Sequence, residues 1–172
     1  MKFIFNDGGR AAAGFKGGAG DCVTRAIAIA TGKPYREIYD DINEIAKTER
    51  PRNRKRSAAR LGVNKRTIRK YLTGLGWQWT PTMRIGSGCT VHLADGELPG
   101  GRLVVSVSKH LTAVIGGEIH DTFDPQRTAH VMNFNGASSS DDPRVTHTIQ
   151  RRCVYGYFSA PKPQTSKREV TK

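Results

Sequence analysis

Hydrophobic positions change their spacing once along this chain, dividing it into a helical first part and a stranded second part. From Cys22 to Thr31 the run CVTRAIAIAT holds Ala26, Ile27, Ile29 and Ala30 in a nearly all-apolar stretch, which predicts a buried helix capped by Asp21 and stopped at Gly32. Pro34 opens a second helix through about Lys47, with Tyr35, Ile38, Tyr39, Ile42 and Ile45 on one face. Asn64 caps a third, which carries Ile68, Tyr71, Leu72 and Leu75 and ends at Gly74 and Gly76.

From Trp77 onward the pattern is that of strands, predicted at 77–80, 102–107, 110–115, 118–123 and 152–158, with turns at Gly100-Gly101 and Gly116-Gly117. Trp77, Trp79, Tyr155 and Tyr157 alternate along these strands, as on a sheet face that packs on a core. Residues 1–5 read as a further short strand, and a loop rich in glycine and alanine joins them to Asp21. Helices first and antiparallel strands later is an α+β layout. Residues 1–159 are expected to form one domain with a basic helical insertion at about 48–76. Residues 160–172, polar, basic and broken by Pro161 and Pro163, are expected to be a disordered tail.

Composition narrows the class. The 172 residues are one domain's worth, and 37% hydrophobic with 25% charged residues is the balance of a folded globular protein. No apolar run approaches the roughly 20 residues that cross a bilayer. Met1–Phe5 is too short for a signal-peptide core before the polar Asn6 and Asp7. The expectation is a cytoplasmic protein with no membrane partner. Cys22, Cys89 and Cys153 are an odd set, so no disulfide framework is expected and at least one thiol is free to react.

The thiolate is the reactive form of cysteine, and a helix N-terminus favours it through partial positive charge and free backbone N–H groups. Cys22 is the first residue of the first predicted helix, where the same N–H groups could hold an oxyanion. A nucleophile of this kind needs a base held by an acceptor, and the segment SKHLTAVIGGEIHDTFDP contains one. If the hairpin turns at Gly116-Gly117, residue 115 faces 118, 112 faces 121 and 110 faces 123. His110 and Asp121 are then diagonal neighbours on one face, roughly 7 Å apart, and His120 falls on the other. The pattern selects Cys22 as nucleophile, His110 as base and Asp121 as the group orienting it.

Gly20-Asp21-Cys22 opening an apolar helix, and His110 followed by an apolar strand, a glycine turn and Asp121, together resemble the papain-like cysteine hydrolases. Within them the nearest likeness is to small phage and prophage proteins related to the C39-like peptidases, over roughly residues 18–125. The resemblance implies a papain-like fold, the Cys22 helix packed on a sheet bearing His110 and Asp121, and thiol-dependent cleavage of an amide, peptide or isopeptide bond in a protein or peptide substrate. It implies no cofactor and, for a phage-encoded protein, the host cytoplasm. Such enzymes usually carry a glutamine a few residues before the cysteine to complete the oxyanion hole. Here Lys16 stands six residues before Cys22 and no glutamine lies upstream, so the candidate substitutes are Lys16, Asn6 if the first strand runs past the site, or the backbone.

The net charge of +13 opens a second class of function, since anionic surfaces, nucleic acid above all, attract such a protein. Ser57–Leu72 (SAARLGVNKRTIRKYL) looks like a helix-turn-helix: a short helix ending at Leu61, a turn at Gly62-Val63, and a second helix exposing Lys65, Arg66, Arg69 and Lys70. With Arg54, Lys55 and Arg56 in the preceding connector, these side chains are the candidate phosphate contacts of a nucleic-acid-binding protein on an inactive papain-like scaffold. An inhibitor or virion component acting by protein contact is the third reading. Cys89 and His92 have the spacing of half a zinc site, but no second pair follows, so no metal is expected. Cys153 reads as structural, and His130 and His147 as solvated loop residues.

Overall fold

In the computed structural model, which describes residues 1–50, 55–127, 129–136 and 138–161, the apolar run after Asp21 is helix α1 (Cys22–Thr31). Gly32 ends it at φ 74°, its N–H bonded to the Ala28 carbonyl, a left-handed closure that glycine adopts without steric cost. Helices α2 (Tyr35–Lys47) and α3 (Lys65–Gly74) follow where helical spacing places them. In α2 the predicted stripe is the inward face, with Tyr35, Ile38 and Ile42 buried and Tyr39 and Ile45 packed beside them.

Eight strands follow the helices or flank them: β1 (Phe3–Phe5), β2 (Gln78–Pro81), β3 (Arg102–Val107), β4 (His110–Ile115), β5 (Glu118–Asp121), β6 (Ala129–Asn133), β7 (Thr146–Gln150) and β8 (Val154–Ser159). Six of them form a sheet in the order β1-β5-β4-β3-β8-β2. The architecture is α+β, but the sheet is mixed: β1 lies parallel to β5, while its other neighbouring strands are antiparallel.

The sheet separates two apolar layers. On one side α1 delivers Ala26, Ile27 and Ala30 against Val104, Ala113 and Phe158, with Ile38 of α2 and Leu72 of α3 behind. On the other, Leu103, Val105, Val114, Ile119 and Val154 pack around Leu93. Each fully buried aliphatic side chain contributes about 1.5–3 kcal/mol, so α1 is fixed on the sheet chiefly by its own apolar face.

Several expectations are corrected. The hairpin β6–β7 occupies segments read as loops, and includes His130 and His147. The strand expected over 118–123 ends at Asp121. Cys89 and Cys153, expected to be unpaired, form a disulfide with Cα atoms 5.8 Å apart, so Cys89 is no zinc ligand and Cys22 is the one free thiol. The short helix expected to end at Leu61 is instead a turn: Ala58 and Gly62 bridge, with the Ala58 N–H on the Gly62 carbonyl at 2.8 Å. The tail from residue 162 onward, and Arg54, lie outside the described residues. Among the described residues no helix is long and apolar enough to cross a membrane.

Candidate active site

The register worked out from the glycine turn is the observed one. Gly116 and Gly117 both have positive φ (59° and 85°), the geometry of a tight hairpin turn, and they pair Ile115 with Glu118, Val114 with Ile119 and Ala113 with His120. Asp121 therefore ends β5 on the same face as His110, which begins β4, and His110 Nε2 lies 2.7 Å from Asp121 Oδ2. The other carboxylate oxygen accepts the Thr122 N–H at 2.7 Å, so both oxygens of Asp121 are engaged. His120 is on the opposite face of β5.

Cys22 begins α1, half-buried, at the end of the sheet where β4 starts. It shares the walls of one cleft with His110 and Leu111, and the His110 side chain and the Leu111 backbone both favour its ionised form. With Nε2 committed to Asp121, the Nδ1 atom is the imidazole nitrogen left for the sulfur. Burial by itself would push the Cys22 thiol up; the His110 side chain, the Leu111 backbone and the nearby charge of His110 and Arg25 outweigh it, and its pKa is lowered. Burial likewise works against a charged His110, but Asp121 and Cys22 raise it to about 9. Both shifts favour a thiolate–imidazolium pair. The first acceptor bond of α1 is Arg25 N–H to Asp21 O at 3.1 Å, so the N–H groups of Cys22, Val23 and Thr24 have no helical acceptor one turn back.

Asp21 does not cap α1 with its side chain. Its carboxylate, buried beneath the helix start, pairs with Arg10 Nε at 2.8 Å and Arg25 Nη1 at 3.3 Å and accepts the Tyr35 hydroxyl at 2.6 Å. Two distant segments, with Arg25 one turn on in α1, thus hold the residue next to Cys22, an arrangement the sequence reading missed because nothing in local spacing ties Arg10 or Tyr35 to Asp21. The turn at 57–62 adds a fourth hold. Thr24 Oγ1 donates to Ala59 O at 2.7 Å, and a Cβ on Gly20 would meet Leu61 O at 3.2 Å, so the close approach there favours glycine.

Neither tentative oxyanion residue lines the cleft at Cys22. Asn6 extends the β1–β5 ladder, its N–H on Asp121 O at 2.8 Å, and its side-chain oxygen accepts the Gly8 N–H at 2.8 Å. The Lys16 side chain is exposed, and its carbonyl accepts Arg10 and Arg60. The cleft itself, of about 1230 Å³, has Cys22 and His110 among its walls together with Leu61, Val63 and Ile68 on one side and Trp79, Met83 and Ile85 on the other. Phe123, half-exposed, lies against the His110 ring at 4.8 Å between centroids.

A register shift between Ser106 and Val107 gives β8 one extra residue, Tyr155. Val154 and Tyr157 consequently pack on the far layer while Tyr155 reaches the cleft, so the two tyrosines expected on one face are split. Of the proposed phosphate contacts, Lys65, Arg66 and Arg69 line the cleft, whereas Lys55, Arg56 and Lys70 are exposed outside it. Without the first helix, the basic segment is not a helix-turn-helix. No family model, curated protein or solved structure matches the chain, so the chemistry is argued from the site's own geometry.

Proposed function

We propose that the protein is a papain-like thiol hydrolase that cleaves an amide, peptide or isopeptide bond in a protein or peptide substrate, working in the cytoplasm. The observation that carries the reading is the 2.7 Å bond between His110 and Asp121 in an open cleft whose walls include both His110 and the free thiol of Cys22. Asp121 accepts the Nε2 proton and so leaves Nδ1 to take the proton of the thiol. The thiolate attacks the carbonyl carbon, and the tetrahedral oxyanion is held by the N–H groups at the start of α1. Collapse breaks the C–N bond as the imidazolium protonates the departing amine, leaving a thioester on Cys22. Water, deprotonated by His110, then attacks the thioester; the acid departs and the thiol is restored.

Alkylation by iodoacetamide across pH, with mass-spectrometric location of the adduct, tests this. Reaction is expected at Cys22 with an apparent pKa below the unperturbed value of about 8.5, and His110→Ala should restore ordinary thiol behaviour. A Cys22 that titrates as an unperturbed thiol would overturn the proposal.

A further inference from the structure

The charge pattern of the cleft bears on what enters it. Six cationic side chains, Arg25, Lys65, Arg66, Arg69, Arg84 and Lys109, line the cavity, and no aspartate or glutamate among the described residues does. Arg25 is answered by Asp21, and the Arg69 guanidinium lies over the Trp79 ring at 5.8 Å. Lys65, Arg66, Arg84 and Lys109 form no ion pair among the described residues. They come from separate elements: Lys65 and Arg66 from α3, Arg84 from the loop after β2, Lys109 from the turn between β3 and β4. The positive charge therefore surrounds the approach to Cys22 instead of following one helix.

Between these cations the walls are apolar and open to solvent. Leu61 is 77% exposed and Ile85 fully so at 108%, with Met83 at 40% beside it. Unpartnered side chains of this kind next to a nucleophile are binding surface awaiting apolar groups. We propose that the cleft takes an extended acidic polypeptide segment in which Asp or Glu side chains alternate with large aliphatic ones. The proposal rests on the reading of Cys22 as the nucleophile, which requires an acyl carbon in the bound chain. A single-stranded nucleic acid would meet the cations equally well, but it binds such grooves through free aromatic faces. Here Trp79 is already packed on Gly156, Phe158 and Arg69, Phe123 lies against the His110 ring, and the most exposed walls, Leu61 and Ile85, are aliphatic.

The test uses the full chain carrying Cys22→Ala, so binding is read without turnover, and fluorescence anisotropy of three probes. These are an extended peptide alternating Glu and Leu, the same peptide with Gln for Glu, and an oligothymidylate of equal formal charge. The Glu peptide is expected to bind roughly tenfold tighter than the Gln peptide at low salt. Adding Arg66→Ser and Arg84→Ser, both exposed and with side chains that form no ion pair among the described residues, should remove that preference at roughly two- to fivefold per charge. Equal affinity for the Glu and Gln peptides, or preference for the oligothymidylate, would overturn the proposal. Because the probe needs no thiol, failure of the binding prediction leaves the alkylation result standing, and failure of the thiol chemistry leaves the binding result readable.

Discussion

The contact between Asp121 and His110 gives the sharpest quantitative test. In Asp121→Asn the side-chain oxygen can keep the Thr122 N–H, now accepted by Oδ1 at 2.7 Å, which turns the new NH₂ group toward His110. Nε2 must then present a lone pair, so the ring proton moves to Nδ1, facing Cys22, and the nitrogen that takes the thiol proton is lost. His110 is raised from 6.5 to about 9 against the effect of burial, and Asp121 is the larger of the two groups that raise it. At about 1.36 kcal/mol per unit, that shift corresponds to about 3 kcal/mol, of which Asp121 carries the larger share. The His110 side chain is only 8% exposed, so solvent screening removes little of this.

The clean assay is NMR titration of His110 in a Cys22→Ala background, where the imidazole titrates without the thiol. There His110 is expected between 6.5 and 9, and Asp121→Asn is expected to take it below 6.5, since burial then acts unopposed. Stability must follow with a fixed sign. A group raised in the folded state stabilises fully below its unfolded pKa and loses that contribution as pH rises through the folded one. Urea unfolding should therefore show Asp121→Asn weaker by about 2 kcal/mol near pH 6, with the gap closing by about pH 9. With Cys22 present, alkylation at neutral pH should slow by about thirtyfold, the kinetic equivalent of about 2 kcal/mol. A His110 that keeps its pKa in the asparagine variant would refute the assigned roles of both residues.

Two further outcomes are expected. Glu49, whose pKa is lowered to about 2 because hydrogen bonds from Ser57, Thr67 and Asn64 outweigh burial, fastens the turn at 57–62 to the start of α3. Glu49→Gln should cost about 1 kcal/mol in urea unfolding at pH 6, and the difference should shrink as pH falls through about 2, because a depressed carboxylate stabilises only while ionised. Reducing the Cys89–Cys153 disulfide, which closes 64 residues, should lower stability by about 2–4 kcal/mol. Cys22 alkylation should be unchanged, because the Val154–Val91 and Leu93–Arg152 backbone bonds (2.9 and 2.8 Å) still hold the strand.

What could be read from the sequence was what local geometry dictates. Two glycines at a turn fix a hairpin register, and a fixed register places His110 and Asp121 on one face whatever else the chain does. The inward stripe of α2 was equally legible, because burial of every third or fourth residue leaves a period. The β6–β7 hairpin left none: the described side chains of β7 are all exposed, so no alternation of apolar and polar residues marks it. The turn at 57–62 reads as helix by local propensity and is overridden from a distance, by Glu49 on Ser57 and Thr24 on Ala59. The Arg10–Asp21 ion pair and the disulfide join residues whose separation carries no local signal.

One of the two non-glycine residues with positive φ among the described residues stands beside His110. Lys109, directly before His110, has φ 56°, a left-handed conformation that costs a side-chain-bearing residue about 1–2 kcal/mol and that glycine would take freely. The turn tolerates it because Val107 and His110 are paired across β3 and β4 and the Ser108 carbonyl is held by Arg152 Nη2 at 2.5 Å. A lysine kept where glycine would fit better has to be accounted for by its side chain, and that side chain makes no ion pair among the described residues and lines the cleft. The bulge that turns Tyr155 into the same cleft, and the buried Asp21 that ties Arg10, Arg25 and Tyr35 beneath Cys22, break local rules at the same place. Strain, a re-aimed aromatic and a buried charge each reduce the ease of folding, and their convergence on one thiol supports the site proposed there.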